Sequence, residues 1–196
     1  MDNKRTRNLV QIAMCGALAA VLMFFEFPLP FIAPPFYEID LSEVPVLVGA
    51  FSMGPLAGAA IELIKVLIKL LIKGTSTAYV GDFANFLVGC CFVLPAGIIY
   101  KMHKTKKQAV IAMVSGTLIM AIAGAILNAF VLLPFYSQLY GMPMEALIEM
   151  GTKVNSHITN VFTFVAIAVV PFNLIKGFIV SLITALIYKR VRVIIR

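Results

Sequence analysis

The largely apolar stretch Val169–Tyr188 carries a single charge, the ammonium group of Lys176, which stands in its middle. A run of this kind is long enough to cross a bilayer as a helix. The basic end that follows it, Lys189-Arg190, lies about fourteen residues further on, or about 21 Å of helix at 1.5 Å per residue. A lysine side chain cannot snorkel that far, and an unpaired charge near the bilayer centre costs at least about 2.5–3.5 kcal/mol. A polar ligand inside a helical bundle would offset that cost. Asn173 precedes Lys176 by one helical turn, so the two share a face.

The rest of the chain points to the same setting. Of 196 residues, 61% are hydrophobic and 13% charged, against about 45–50% and about 25% in soluble domains. Mean hydropathy is +1.00. The expected fold is therefore an all-α membrane protein, a single integral membrane domain over 1–196 with no room for a soluble catalytic domain. The net charge of +7 is gathered largely in three short clusters: Lys4, Arg5, Arg7; Lys101, Lys104, Lys106, Lys107; and Lys189, Arg190, Arg192, Arg196. Clusters of this kind beside spans mark the cytoplasmic side, and they account for the basic balance without nucleic-acid binding.

Parity then sets the topology. The amino terminus and the 101–107 loop are both basic, so an even number of crossings separates them. Leu9–Phe25 is a charge-free first span, longer than a signal-peptide core and without a convincing cleavage site. The loop Phe27–Glu43 follows, with four prolines, several acids and no base, as suits the outer face. Asp82–Tyr100 is a second clear span. Val44–Lys73, broken at Met53-Gly54-Pro55, must cross twice or not at all: two short helices, or a re-entrant hairpin. Ala109–Leu133 leads outward, Pro134 to about Thr159 connects, and the last span returns. The expectation is a six-transmembrane-helix bundle with both termini cytoplasmic.

The chain has no P-loop, no H-E-x-x-H and no G-x-S-x-G motif. His103 and His157 lie in polar connections, and Cys15, Cys90 and Cys91 lie in apolar runs, where they read as packing residues. No catalytic residue, metal ligand or catalytic cofactor is expected. The polar residues within spans are the candidates instead. Glu62 is followed by Lys65, Lys69 and Lys73 on one face. It either pairs with Lys65, the other lysines climbing to the outer surface, or accepts hydrogen bonds from a ligand. Asn85 and Asn128 stand near the outer ends of their spans, where a carboxamide serves as ligand contact or as interhelical glue. Ala13 and Ala17 give an A-x-x-x-A spacing that lets another helix approach closely.

Ile39-Asp40-Leu41-Ser42-Glu43-Val44-Pro45, Gly54-Pro55-Leu56-Ala57-Gly58, Glu62 and Gly81-Asp82-Phe83-Ala84-Asn85-Phe86 together resemble the S components of energy-coupling factor (ECF) vitamin transporters. Asn128 and Asn173-Leu174-Ile175-Lys176-Gly177 resemble their riboflavin-specific branch. The resemblance implies a multi-pass subunit of the bacterial plasma membrane, not an enzyme. It would capture riboflavin from outside and work with a transmembrane coupling subunit and two ATPase subunits. It also implies site roles. Asn128, Asn173 and Lys176 would meet the polar edge of the flavin ring, and Glu62 the ribityl hydroxyls. Asn85 and the backbone of Leu41 would add contacts, and Phe31, Phe36 and Tyr37 would close over the ring. Ala13 and Ala17 would dock the coupling subunit. The alternatives are an S component for another vitamin, a membrane enzyme and a stand-alone carrier.

Overall fold

The computed structural model describes residues 3–75 and 77–195; side chains from Lys189 onward, and those of Asn3 and Lys4, lie outside the description, so the two terminal basic clusters are placed only in part. Helix α1 runs Asn3–Met23. A minimal antiparallel hairpin, β1 Phe27–Pro28 with β2 Glu38–Ile39, then ties the proline-rich loop together, Phe27 facing Ile39. The long stretch that follows is split as its sequence suggests, into α2 Glu43–Met53 and α3 Pro55–Lys73. The break is Gly54, whose φ of 108° only glycine adopts readily, and Pro55 then sits at the start of α3, where its missing N–H is harmless. Helix α4 spans Val80–Met102 and α5 Lys106–Leu127.

Beyond Leu127 the fold departs from expectation. The fifth rod does not end near Leu133. It widens into a π-helical turn, Asn128–Leu132, and continues as α6, Leu133–Leu139. The connection holds its own helix, α7 Met144–Thr152. The last rod starts as α8, Val161–Phe164, opens into a second π turn, Val165–Val169, and runs on as α9, Val170–Ile195. Each wide turn ends two residues before a proline, Pro134 or Pro171. A proline inside a helix lacks a donor and collides with the carbonyl four residues back. Bonding five residues back, Leu133 N–H to Asn128 O and Val170 N–H to Val165 O, relieves both problems without ending the helix.

Among the described residues, four rods are long and apolar enough to cross a membrane: Arg5–Met23, Val80–Met102, Lys106–Leu139 and Val161–Tyr188. Helix α2 has 11 residues, and α3 carries Glu62 and three lysines. Two apolar clusters pack the bundle. Leu47, Phe51, Phe92, Tyr100 and Met113 fill the end near the 101–107 loop. Ile39, Leu133, Leu147, Phe164 and Phe172 fill the other. Where α4 meets α5, Gly116 has no room for a side chain: a Cβ there would lie 2.6 Å from the carbonyl oxygen of Phe92. Gly116→Ala is expected to push the two helices apart and to lower stability by about 1–3 kcal/mol, measured as a fall in melting temperature of the detergent-solubilised protein.

Candidate binding site

Three element ends meet at one end of the bundle: the start of α4, the end of α5 with its π turn, and the start of α9. Helix α4 runs toward the 101–107 loop and α5 runs away from it, so this end is the one opposite the basic loop. A cavity of about 560 Å³ lies here, within the usual range of about 300–1,000 Å³ for small-molecule sites. Phe36 and Tyr37 of the first loop and Leu147 and Met150 of α7 help to enclose it, and Val88, Met120 and Phe172 give it apolar walls.

The polar groups on the wall come from different elements. Asn85, on α4, buries an Oδ1 that has no hydrogen-bond partner among the described residues. Asn128 opens the first π turn; its amide donates to the Gly124 carbonyl at 2.8 Å, and its Oδ1 accepts from the Tyr37 hydroxyl at 2.5 Å. Burial, and then the neighbouring Tyr136 phenol, push the Tyr37 hydroxyl above the ordinary tyrosine range, so it stays a donor. The amide of Asn173 donates to the carbonyl of Val169, the last residue of the second π turn, at 2.9 Å. Each carboxamide nitrogen carries two N–H groups, so one on each remains for another acceptor. Gly124 lets Asn173 lie close, since a Cβ there would come within 2.8 Å of its Nδ2.

Lys176 does line the cavity, but it is not the unpaired charge that its sequence setting suggests. Its Nζ donates to Asp40 Oδ2 at 3.0 Å, and the Ser42 N–H holds the other Asp40 oxygen at 2.7 Å. Beside this pair lies a second buried group. Lys65 Nζ sits 2.7 Å from Glu43 Oε1 and 2.6 Å from Glu62 Oε1, with Lys65 and Glu62 wholly out of solvent. Further along α3, Lys69 pairs with Asp82 and Lys73 with Glu26.

Four of the expected contact residues, Asn85, Asn128, Asn173 and Lys176, are thus brought to one cavity. Glu62 and Leu41 are not on its wall. Glu62 lies behind Gly89, whose Cβ would meet the Glu62 carboxylate at 2.4 Å, and the Leu41 side chain packs on the apolar cluster near α2. The carboxylates that do line the cavity are Glu43 and, from the first loop, Glu38. Phe36 and Tyr37 line the cavity as expected, whereas Phe31 points away and is 73% exposed. Sequence reasoning missed Asp40, Glu43 and Lys65 as a set, although the D-x-S pattern of an Asx turn was available at Asp40-Leu41-Ser42. On α1, Ala13 and Ala17 face outward beside Leu9, Met14 and Leu18, while Gly16 packs inward on Ile64. Among the described residues no group of three or more His, Cys, Asp and Glu side chains is arranged to hold a metal ion.

Burial alone would raise the Asp40 carboxyl. The Lys176 and Lys65 ammonium groups and the Ser42 hydrogen bonds outweigh it and lower the carboxyl from 3.8 to about 2. The stabilisation from this lowered group is complete above 3.8 and is lost as pH falls through about 2. Asp40→Asn strips Lys176 of its counter-ion, and a loss of about 3 kcal/mol is expected at neutral pH. Melting curves should show the gap between native protein and variant in full at about pH 5–7 and closing below about pH 3.

A model of the family described as ECF transporter, substrate-specific component, matches residues 7–188. The riboflavin transporter RibU of Staphylococcus aureus (strain TCH60) is 35% identical over 190 residues, covering 97% of this chain and 93% of that protein. The riboflavin transporter FmnP of Bacillus subtilis (strain 168) is 33% identical over 189 residues, covering 96% and 93%. In three dimensions the chain is similar to a solved protein reported as "Structure and mechanism of the S component of a bacterial ECF transporter", with a TM-score of 0.75 and 37% identity over 95% of this chain and 96% of that one. With membrane-length apolar helices, and with both sequence and fold shared along nearly the whole chain, this multi-pass membrane protein belongs to the substrate-specific components of ECF transporters.

Proposed function

We propose that this chain captures riboflavin from outside the cell and delivers it through a complex with a transmembrane coupling subunit and two ATPase subunits. In this reading residues 1–196 form one domain of six spans with both termini cytoplasmic. Helices α2 and α3 supply two of the spans, and the cavity opens away from the basic 101–107 loop, hence outward. The observation that carries the proposal is the polar rim built by Asn85, Asn128, Asn173 and Lys176 on otherwise apolar walls. Riboflavin has the complementary form, a flat apolar ring system with a donor–acceptor edge and a polyhydroxyl tail. The names of the relatives support the same ligand.

The free N–H and the oxygen of Asn173, with those of Asn128, read the ring edge. Lys176 has three N–H donors; one is held by Asp40, and another reaches a ring carbonyl or nitrogen. The unpartnered Asn85 oxygen accepts from a ribityl hydroxyl. Glu62 acts from behind the wall by sharing Lys65 with the cavity-facing Glu43, and Leu41 contributes through its main chain. Phe36 and Tyr37 close the loop over the ligand. The outward Ala13–Ala17 face of α1 docks the coupling subunit, where small side chains allow close helix approach. Hydrolysis of ATP belongs to the partners.

Asn173→Ala and Lys176→Ala are each expected to weaken riboflavin binding by at least about 1–3 kcal/mol, read by quenching of flavin fluorescence on titration. Unchanged affinity in both variants would overturn the site. Mass spectrometry of the small molecule retained through purification tests the ligand itself: a vitamin other than a flavin would leave the family assignment intact and remove riboflavin from it.

A further inference from the structure

A second cavity, of about 330 Å³, lies at the other end of the bundle beside the 101–107 loop. The vitamin cavity and its charged layer use none of its residues. Its inner wall is aromatic and apolar. The ring of Phe51 stacks on Tyr100 with centroids 4.4 Å apart, the Tyr188 hydroxyl bonds to that of Tyr100 at 3.1 Å, and Met113 extends the surface. Lys104 and Lys106 stand at its mouth, exposed and without an ion pair among the described residues. The start of α5 lies there too. Thr105 caps it by accepting from the Gln108 N–H, and the positive end of this 22-residue helix faces the slot.

Two further observations point to an occupant that is both anionic and apolar. Thr184 lines the slot and is 0% exposed, yet its Oγ1 has no hydrogen-bond partner among the described residues. A hydroxyl buried in that way is costly unless something satisfies it. On the open side, Val110 and Ala185 also line the slot, and they are exposed on the outward apolar surface of their helices. The slot is therefore continuous with the surface that lipid chains cover.

We propose that this slot holds the headgroup end of an anionic phospholipid from the leaflet on the basic side of the protein. Phosphate oxygens accept from Lys104, Lys106 and the first amides of α5. A glycerol-ester carbonyl accepts from Thr184. The acyl chains pass over Met113 and leave past Val110 and Ala185. Free inorganic phosphate shares the charge of this ligand but has no use for the apolar wall.

The test is native mass spectrometry on the full chain, comparing retention of phosphatidylglycerol and of phosphatidylcholine with identical acyl chains. Phosphatidylglycerol should be retained about tenfold better or more, as expected for two lysines at the membrane surface. The double variant Lys104→Gln/Lys106→Gln should abolish that preference. The double variant Lys101→Gln/Lys107→Gln removes the same charge from the same loop, outside the slot, and should keep it. Thr184→Val should lower retention of phosphatidylglycerol, with a near-native melting temperature showing that the variant folds. Equal losses from the two lysine pairs would reduce the effect to diffuse attraction and overturn the site. Displacement of the lipid by millimolar inorganic phosphate would overturn the lipid assignment in favour of a free-anion site. None of these readouts depends on which vitamin the first cavity binds.

Discussion

Charge buried between helices is the constraint on which the rest of the molecule depends. Lys65 and Lys176 are both held away from solvent in the bundle, faced by Asp40, Glu43 and Glu62. Ammonium groups in such a place are tolerated only where carboxylates and hydrogen bonds surround them. Meeting that requirement fixes several elements at once. Asp40 must be brought from the first loop to α9, which sets the course of the loop. Glu43 must stand at the start of α2 and reach α3, which sets the angle of the short helix. Gly89 must lack a side chain so that α4 can lie against the Glu43–Glu62 carboxylates.

The cavity is a consequence of that arrangement and of the two wide turns. Loop one is pinned to α9 through Asp40 and to the fifth rod through Tyr37, so it can enclose a ligand while remaining anchored at two points. The same bonds place polar atoms where a ligand can replace or extend them. A loop fastened by exchangeable hydrogen bonds suits a substrate-specific transport component, since such bonds can break and re-form.

What could be read from the sequence, and what could not, follows from how each signal arises. Asn85, Asn128, Asn173 and Lys176 stood out because a polar side chain inside an apolar run has a conspicuous cost. The break at Gly54-Pro55 was equally plain. Asp40 and Glu43 were hidden because acids in a proline-rich loop look like ordinary solvated residues. Nothing local announces that Asp40 will meet a lysine 136 residues away, or that Glu43 will meet one 22 residues away. Glu62 carried two readings, as ligand contact or as partner of Lys65, and only the packing of α4 on α3 places it behind the wall. The apolar run reads as a span over Ala109–Leu133 with a connection from Pro134, whereas the rod continues to Leu139; passage through a proline by one wider turn depends on tertiary support and leaves no residue pattern of its own.

Those two wide turns bear on how such a chain can change in length. Each packs one more residue into a turn than the α-helix around it, with little gain in height. Loss of a single residue between Asn128 and Pro134 would let the rod close up into regular helix while leaving the part beyond it facing much as before. Tyr136 and Tyr140 would then stay at the cavity, whereas the same loss from the regular helix before Asn128 would turn them by about 100°. A homologue one residue shorter can therefore keep this wall, provided the missing residue comes out of the wide turn.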